Sequence, residues 1–163
     1  MQLYVVRHAI AEDAADGQDD ASRQLTSDGA RKLRKVVHAL RALRVRFDRV
    51  ITSPWARARQ TAEALAPLCE APPIESELLT KSPSAELLAH IAEVTSASKH
   101  GTAVVGHEPW LGELVSLLAF GDTRFGDSLT LKKAGVVWLD GSAVPGGMMI
   151  RALVPPKFLR AMR

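Results

Sequence analysis

With 163 residues, 47% of them hydrophobic and 24% charged, the chain reads as one ordinary globular domain spanning 1–163, long enough to bury a real core. Its single cysteine, Cys69, excludes an internal disulfide framework and a cysteine-based zinc knuckle, and suits a reducing cytoplasm. The formal net charge of +3 is small but uneven: five acids fall within 12–20, whereas 31–49 is crowded with Lys and Arg.

In chain order, 2–7 reads as a first strand that ends on Arg7 and His8. No basic segment precedes this short apolar run, so it is read neither as a signal peptide nor as a membrane span. Residues 11–24 read as a loop, and their acids as solvated. LTSDGARKLRK opens a long helix, with Thr26 or Ser27 as its cap and Asp28 suited to the positive end of its dipole. Leu33, Val36, Val37, Leu40 and Leu43 recur at helical spacing, so the basic residues between them form the solvated face of an amphipathic helix. No aromatic residues interleave with those charges to stack bases, and no nucleic-acid partner is expected.

A second strand at 49–53 meets Pro54, and WARARQTAEALAPL carries a helix to about 68. A short extended piece at 73–76 precedes a helix at about 84–97. A buried strand at 102–107 is again followed by a proline and a helix, 109–119, which is too short and too interrupted by Glu113 to cross a bilayer. Runs at 135–140 and 148–154 read as an antiparallel hairpin, and Pro155-Pro156 with a short basic tail closes the chain. This alternation predicts an α/β layered fold with a mostly parallel sheet.

Arg7-His8, Ser53-Pro54-Trp55-Ala56-Arg57 and Gly106-His107-Glu108-Pro109 each follow a predicted parallel strand. Ligands of open α/β sheets bind at the carboxyl ends of the strands, so two histidines and two arginines should meet there. Two of the motifs open helices, whose free N–H groups favour an anion. A phosphoryl group fits that concentration of donors. A neutral imidazole can attack phosphorus, and arginines grip phosphoryl oxygens bidentately. No metal is expected at His8 and His107, because the surrounding arginines repel a cation, and no GxxxxGK[ST] loop is present. Trp55 and Trp110 fall near the crevice, as rim or as packing.

RHA, SPWARARQTA and VGHEP, in this order and with the LTSDGARKL helix start, resemble the histidine phosphatase (phosphoglycerate-mutase-like) superfamily over nearly the whole chain. The small size is similar to that of the SixA-type phosphohistidine phosphatases. The resemblance implies a three-layer α/β/α sandwich with a mostly parallel central sheet and the antiparallel C-terminal hairpin. It further implies a cofactor-free phosphatase with His8 as the phosphorylated nucleophile, Arg7 and Arg57 binding phosphate and His107 completing the pocket. Arg23, in SRQLT, matches a position that reaches phosphate or substrate. The expected partner is a phosphorylated protein, such as a histidine-containing phosphotransfer domain, or a small phosphorylated molecule, acted on by a cytoplasmic monomer with no membrane partner.

Two departures from the pattern stand out. Ala9 replaces the usual glycine, which would matter if the backbone there needed positive φ. The region ESELLTKSP has Thr80 where larger members place a general acid, leaving Glu108 as the fallback. A missing acid favours a P–N substrate, because a protonated imidazole leaves as a neutral molecule whereas an alkoxide needs a proton. The alternatives are a broad small-molecule phosphomonoesterase and a non-catalytic phosphoprotein-binding module.

Overall fold

The computed structural model describes residues 1–162. Six strands form one sheet: β1 (Gln2–Arg7), β2 (Arg49–Thr52), β3 (Ile74–Glu75), β4 (Thr102–Gly106), β5 (Val136–Gly141) and β6 (Met148–Val154), in the order β3-β2-β4-β1-β5-β6. The first four strands of that order are mutually parallel, and β5 and β6 add an antiparallel hairpin against β1. The helices are α1 (Ser27–Ala42), α2 (Ala56–Ala64), α3 (Ala85–Thr95), α4 (Trp110–Phe120) and α5 (Pro156–Ala161).

Strand alternation sorts the core into two layers. Tyr4 and Val6 point into one apolar cluster with Leu33, Val36 and Leu40 of α1, Ala58 and Ala62 of α2, and Leu159 of α5. Leu3 and Val5 point into the other, with Leu87, Leu88 and Ile91 of α3 and Leu111, Leu114 and Val115 of α4. The result is the expected three-layer α/β/α arrangement. No helix among the described residues is long and apolar enough to cross a membrane.

The amphipathic reading of α1 holds, with Thr26 as the cap: its hydroxyl accepts from Gly29 N at 2.9 Å. Leu43 is the exception. It falls one residue past the helix as its C-cap and is 52% exposed, so the periodic stripe ends at Leu40. The helix expected to run to 68 stops as α-helix at Ala64 and continues as a 3-10 turn at Ala66–Leu68, because Pro67 has no N–H to donate. The C-terminal stretch is not a tail, since Pro156 opens α5 and Leu159 is buried against the α1 layer.

Two details bring the loops onto the site. A Cβ at Gly29 would lie 2.1 Å from the Ile10 carbonyl, so only glycine lets the start of α1 abut the chain just beyond His8. Ala134 takes positive φ (62°), and its N–H sits 3.1 Å from the carbonyls of both Arg7 and His8. That turn folds the segment ahead of β5 over the end of β1.

Candidate active site

The sheet ladder continues one residue beyond the strand ends. His8 N donates to Gly106 O at 3.1 Å and Ser53 N to Val105 O at 3.0 Å, so His8, His107 and Ser53 leave three adjacent strands side by side. The two histidines open into a cleft of about 370 Å³, whose walls also include Arg7, Arg57 and Arg23. All five residues singled out from the sequence are therefore brought to one place.

His8 is 5% exposed, and its Nδ1 lies 2.7 Å from the carbonyl of Ala9. A carbonyl can only accept, so the proton resides on Nδ1 and the lone pair on Nε2. Burial is the main reason that the pKa of His8 falls to about 4; the Ala9 carbonyl opposes the shift, and Arg57, Arg7 and Lys133 add to it. The ring is thus neutral near pH 7, with its free nitrogen available as a nucleophile. Burial, then the charge of His8 and of Arg57, lowers His107 to about 3. The two rings lie 5.1 Å apart between centroids.

His107 Nε2 is 2.8 Å from Ser53 Oγ, which also accepts from Trp55 N at 3.3 Å. Where Ser53 turns its own proton to Nε2, the ring proton sits on Nδ1. His107 Nδ1, Arg7 Nε and Arg57 Nε are buried without a protein partner. Buried unpartnered donors cost roughly 1–3 kcal/mol each, a cost that an anion in the cleft would relieve.

Comparison with known proteins supplies the family. The sequence pattern of the histidine phosphatase superfamily (branch 1) matches residues 3–81. The phosphohistidine phosphatase SixA of Escherichia coli is 30% identical over 126 residues, 76% of this chain and 77% of that protein. An uncharacterized protein of Picosynechococcus sp. is 39% identical over 145 residues, covering 88% and 87% of the two chains. The structure of the protein histidine phosphatase SixA complexed with tungstate superposes with a TM-score of 0.80 at 25% identity, over 98% of this chain and 99% of that one. The chain belongs to the histidine phosphatase superfamily.

Within that family frame, the structure answers the two departures noted in the sequence. Among the described residues only Arg44 and Ala134 combine a side chain with positive φ, so Ala9 does not adopt the geometry that would demand glycine. Ala9 is buried, and its N–H donates to Thr61 Oγ1 at 3.0 Å. Glu108 is tied to the backbone: Oε2 accepts from Gly112 N at 3.0 Å and Oε1 from Leu131 N at 2.7 Å. Burial raises its pKa, against the pull of those two N–H groups. Glu108 therefore caps α4 and pins the Leu131 segment. Because that cap takes the Gly112 N–H, the start of α4 is a poorer anion site than its sequence suggested.

The acidic segment is exposed throughout 12–20, as a solvated loop should be, but Asp20 also engages the site. Asp20 folds back so that its carbonyl accepts from Arg57 Nη1 at 2.6 Å and its carboxylate from Arg57 Nη2 at 2.9 Å. Its other carboxylate oxygen pairs with Arg23 at 2.7 Å. Burial works against ionisation of Asp20, but Arg57 and Arg23 outweigh it and hold the carboxyl below its ordinary value. Arg23 also donates to Glu12 O at 2.9 Å. The one available signal was the placement of Asp20 a single turn before Arg23.

Lys133, a second residue not singled out from the sequence, lines the same cleft. It arrives because β5 runs antiparallel to β1, which puts the amino end of β5 beside the carboxyl end of β1. Among the described residues no cluster of three or more His, Cys, Asp or Glu side chains is placed to hold a metal ion.

Proposed function

We propose that this histidine phosphatase hydrolyses phosphohistidine in a phosphorylated protein, without metal, through a covalent intermediate on His8. The observation that carries this reading is the His8 tautomer: Nδ1 is bound to the Ala9 carbonyl, and Nε2 holds a lone pair on a ring that stays neutral near pH 7. Nε2 forms a bond to phosphorus as the substrate P–N bond breaks, and that electron pair returns to the departing imidazole. With a proton on its other nitrogen, the imidazole leaves neutral. Water then attacks phospho-His8, the P–N bond breaks back to Nε2, and inorganic phosphate is released.

Arg7 and Arg57 supply guanidinium N–H groups to the phosphoryl oxygens, and His107 Nδ1–H meets the charge that builds as the group transfers. Arg23 binds phosphate or substrate at the cleft edge. The substrate reading is supported by the SixA relative and by the carboxylates of the cleft. Both oxygens of Glu108 are engaged by backbone, and Asp20 is held ionised between two arginines, so neither is free to protonate an alkoxide. Tungstate, a tetrahedral oxyanion, is bound by the SixA structure that superposes on this chain.

The test is alkaline-quench trapping with a labelled phosphohistidine protein, followed by a turnover panel in EDTA. Wild type should form a base-stable, acid-labile phosphoenzyme and cleave P–N bonds faster than alkyl phosphate esters. His8→Ala should abolish the phosphoenzyme and lower turnover by at least about a thousandfold. Faster cleavage of alkyl esters, or a phosphoenzyme that survives His8→Ala, would sink the reading.

A further inference from the structure

The chain has three tryptophans, and their settings differ. Trp138 stacks on Tyr4, with centroids 6.1 Å apart and planes at 3°, and packs against the α1 layer of the core. Trp55 and Trp110 belong to neither core cluster; both are half-buried and line the cleft that holds His8. They stand at the starts of the two helices that open onto it, Trp55 as the N-cap of α2 and Trp110 as the first residue of α4. An N-cap is normally a small polar residue whose side chain bonds a free N–H, and Trp55 makes no such bond. A large aromatic ring at that position forgoes capping, so its side chain serves something other than the helix.

The two rings form a continuous wall with the site. Trp55 lies 4.6 Å from His107 at 45° and 5.9 Å from Trp110 at 71°, while Trp110 meets His107 edge-on at 6.2 Å. The Arg57 guanidinium sits 4.8 Å from the Trp55 ring centroid. The cationic and hydrogen-bonding groups suited to a phosphoryl group thus border directly on an aromatic part of the cleft. Aromatic rings gain from offset or edge-to-face neighbours beyond simple burial.

We propose that Trp55 and Trp110 are specificity-determining residues that receive the leaving group, and that they select a planar aromatic ring, which for the proposed reaction is the imidazole of phosphohistidine. This assignment rests on the phosphatase reading above and adds to it the part of the cleft that distinguishes a ring from an alkyl chain.

The experiment compares kcat/KM on p-nitrophenyl phosphate and free phosphohistidine with that on acetyl phosphate. Acetate has no ring and, like nitrophenolate, leaves without needing a proton, so the comparison isolates the ring. In Trp110→Leu the aromatic-to-acetyl ratio should fall about fivefold to tenfold, mainly through KM, and Trp110→Phe should recover most of it. Trp55→Phe should hold the ratio near wild type and Trp55→Leu should lower it, which covers the case in which one variant folds poorly. An unchanged ratio, or an equal loss on all three substrates, overturns the assignment while leaving the phosphatase reading intact. A wild-type chain that hydrolyses none of them overturns the assignment, and one that also leaves a phosphohistidine protein intact overturns both.

Discussion

Strands β2 and β4 lead into two clefts of nearly equal size, about 350 Å³ at their amino ends and about 370 Å³ at their carboxyl ends. Each cleft contains histidine and arginine, yet the chemistry of the two ends is opposite. At the amino ends Asp48 accepts from the N–H groups of His100 and Lys99 at 2.7 and 2.6 Å, and lies 3.0 Å from His100 Nδ1. Hydrogen bonds from the backbone and ring of His100 hold Asp48 down to about 2, and the His100 side chain is 58% exposed. There the imidazole lies exposed beside an acid. At the carboxyl ends burial and neighbouring cations disfavour a charged imidazole, which keeps His8 neutral. Cavity size does not separate the two clefts, whereas burial and charge balance around the imidazole do.

The sharpest way to break this contrast is Arg57→Ala, which should lower kcat/KM roughly 100-fold to 1000-fold in steady-state assays. Arg57→Lys should recover only part of the loss, because an ammonium lacks the planar fork. A loss below fivefold would mean that the cationic end is no more catalytic than the other.

Stability against pH is the next largest effect. Both buried histidines have folded-state pKa values, about 4 and about 3, below the ordinary 6.5. As pH falls below 6.5 the unfolded chain takes up protons that the folded chain refuses. Stability is therefore full above 6.5 and lost as pH falls through about 4 for His8 and about 3 for His107. The slope is about 1.4 kcal/mol per pH unit for each histidine. Urea denaturation at pH 7 and pH 5 should show it, and His107→Asn should halve it.

Asp20→Asn tests the acid that pairs with Arg57 and Arg23 at the cationic end. The substitution removes the charge that competes with phosphate but leaves the backbone carbonyl on Arg57, so the inhibition constant for inorganic phosphate should fall about fivefold in low salt. A rise would make Asp20 chiefly a positioning residue for Arg57. His100→Ala should do least: kcat/KM within about twofold of wild type, and a stability cost of at most about 1 kcal/mol by denaturation, as for other exposed polar contacts.

What the sequence determined by itself was local or periodic. The β1 run, the α1 stripe from Leu33 to Leu40, the start of that helix at Thr26 or Ser27 and the hairpin could be read because residues two to four apart decide them. The convergence of His8, Arg57 and His107 was legible for a related reason: each follows directly on a parallel strand, and the rules of α/β sheets bring such ends together. Only the tertiary structure decided what depended on partners far along the chain. Asp20 bonds Arg57 across 37 residues, Glu108 is held by Leu131, and Lys133 reaches the cleft because β5 is antiparallel. The same holds for α5, whose short apolar face has meaning only against α1, and for Leu43, exposed because the helix ends before it. The neutrality of His8 is also of this kind, since desolvation depends on how deeply the folded chain encloses the ring.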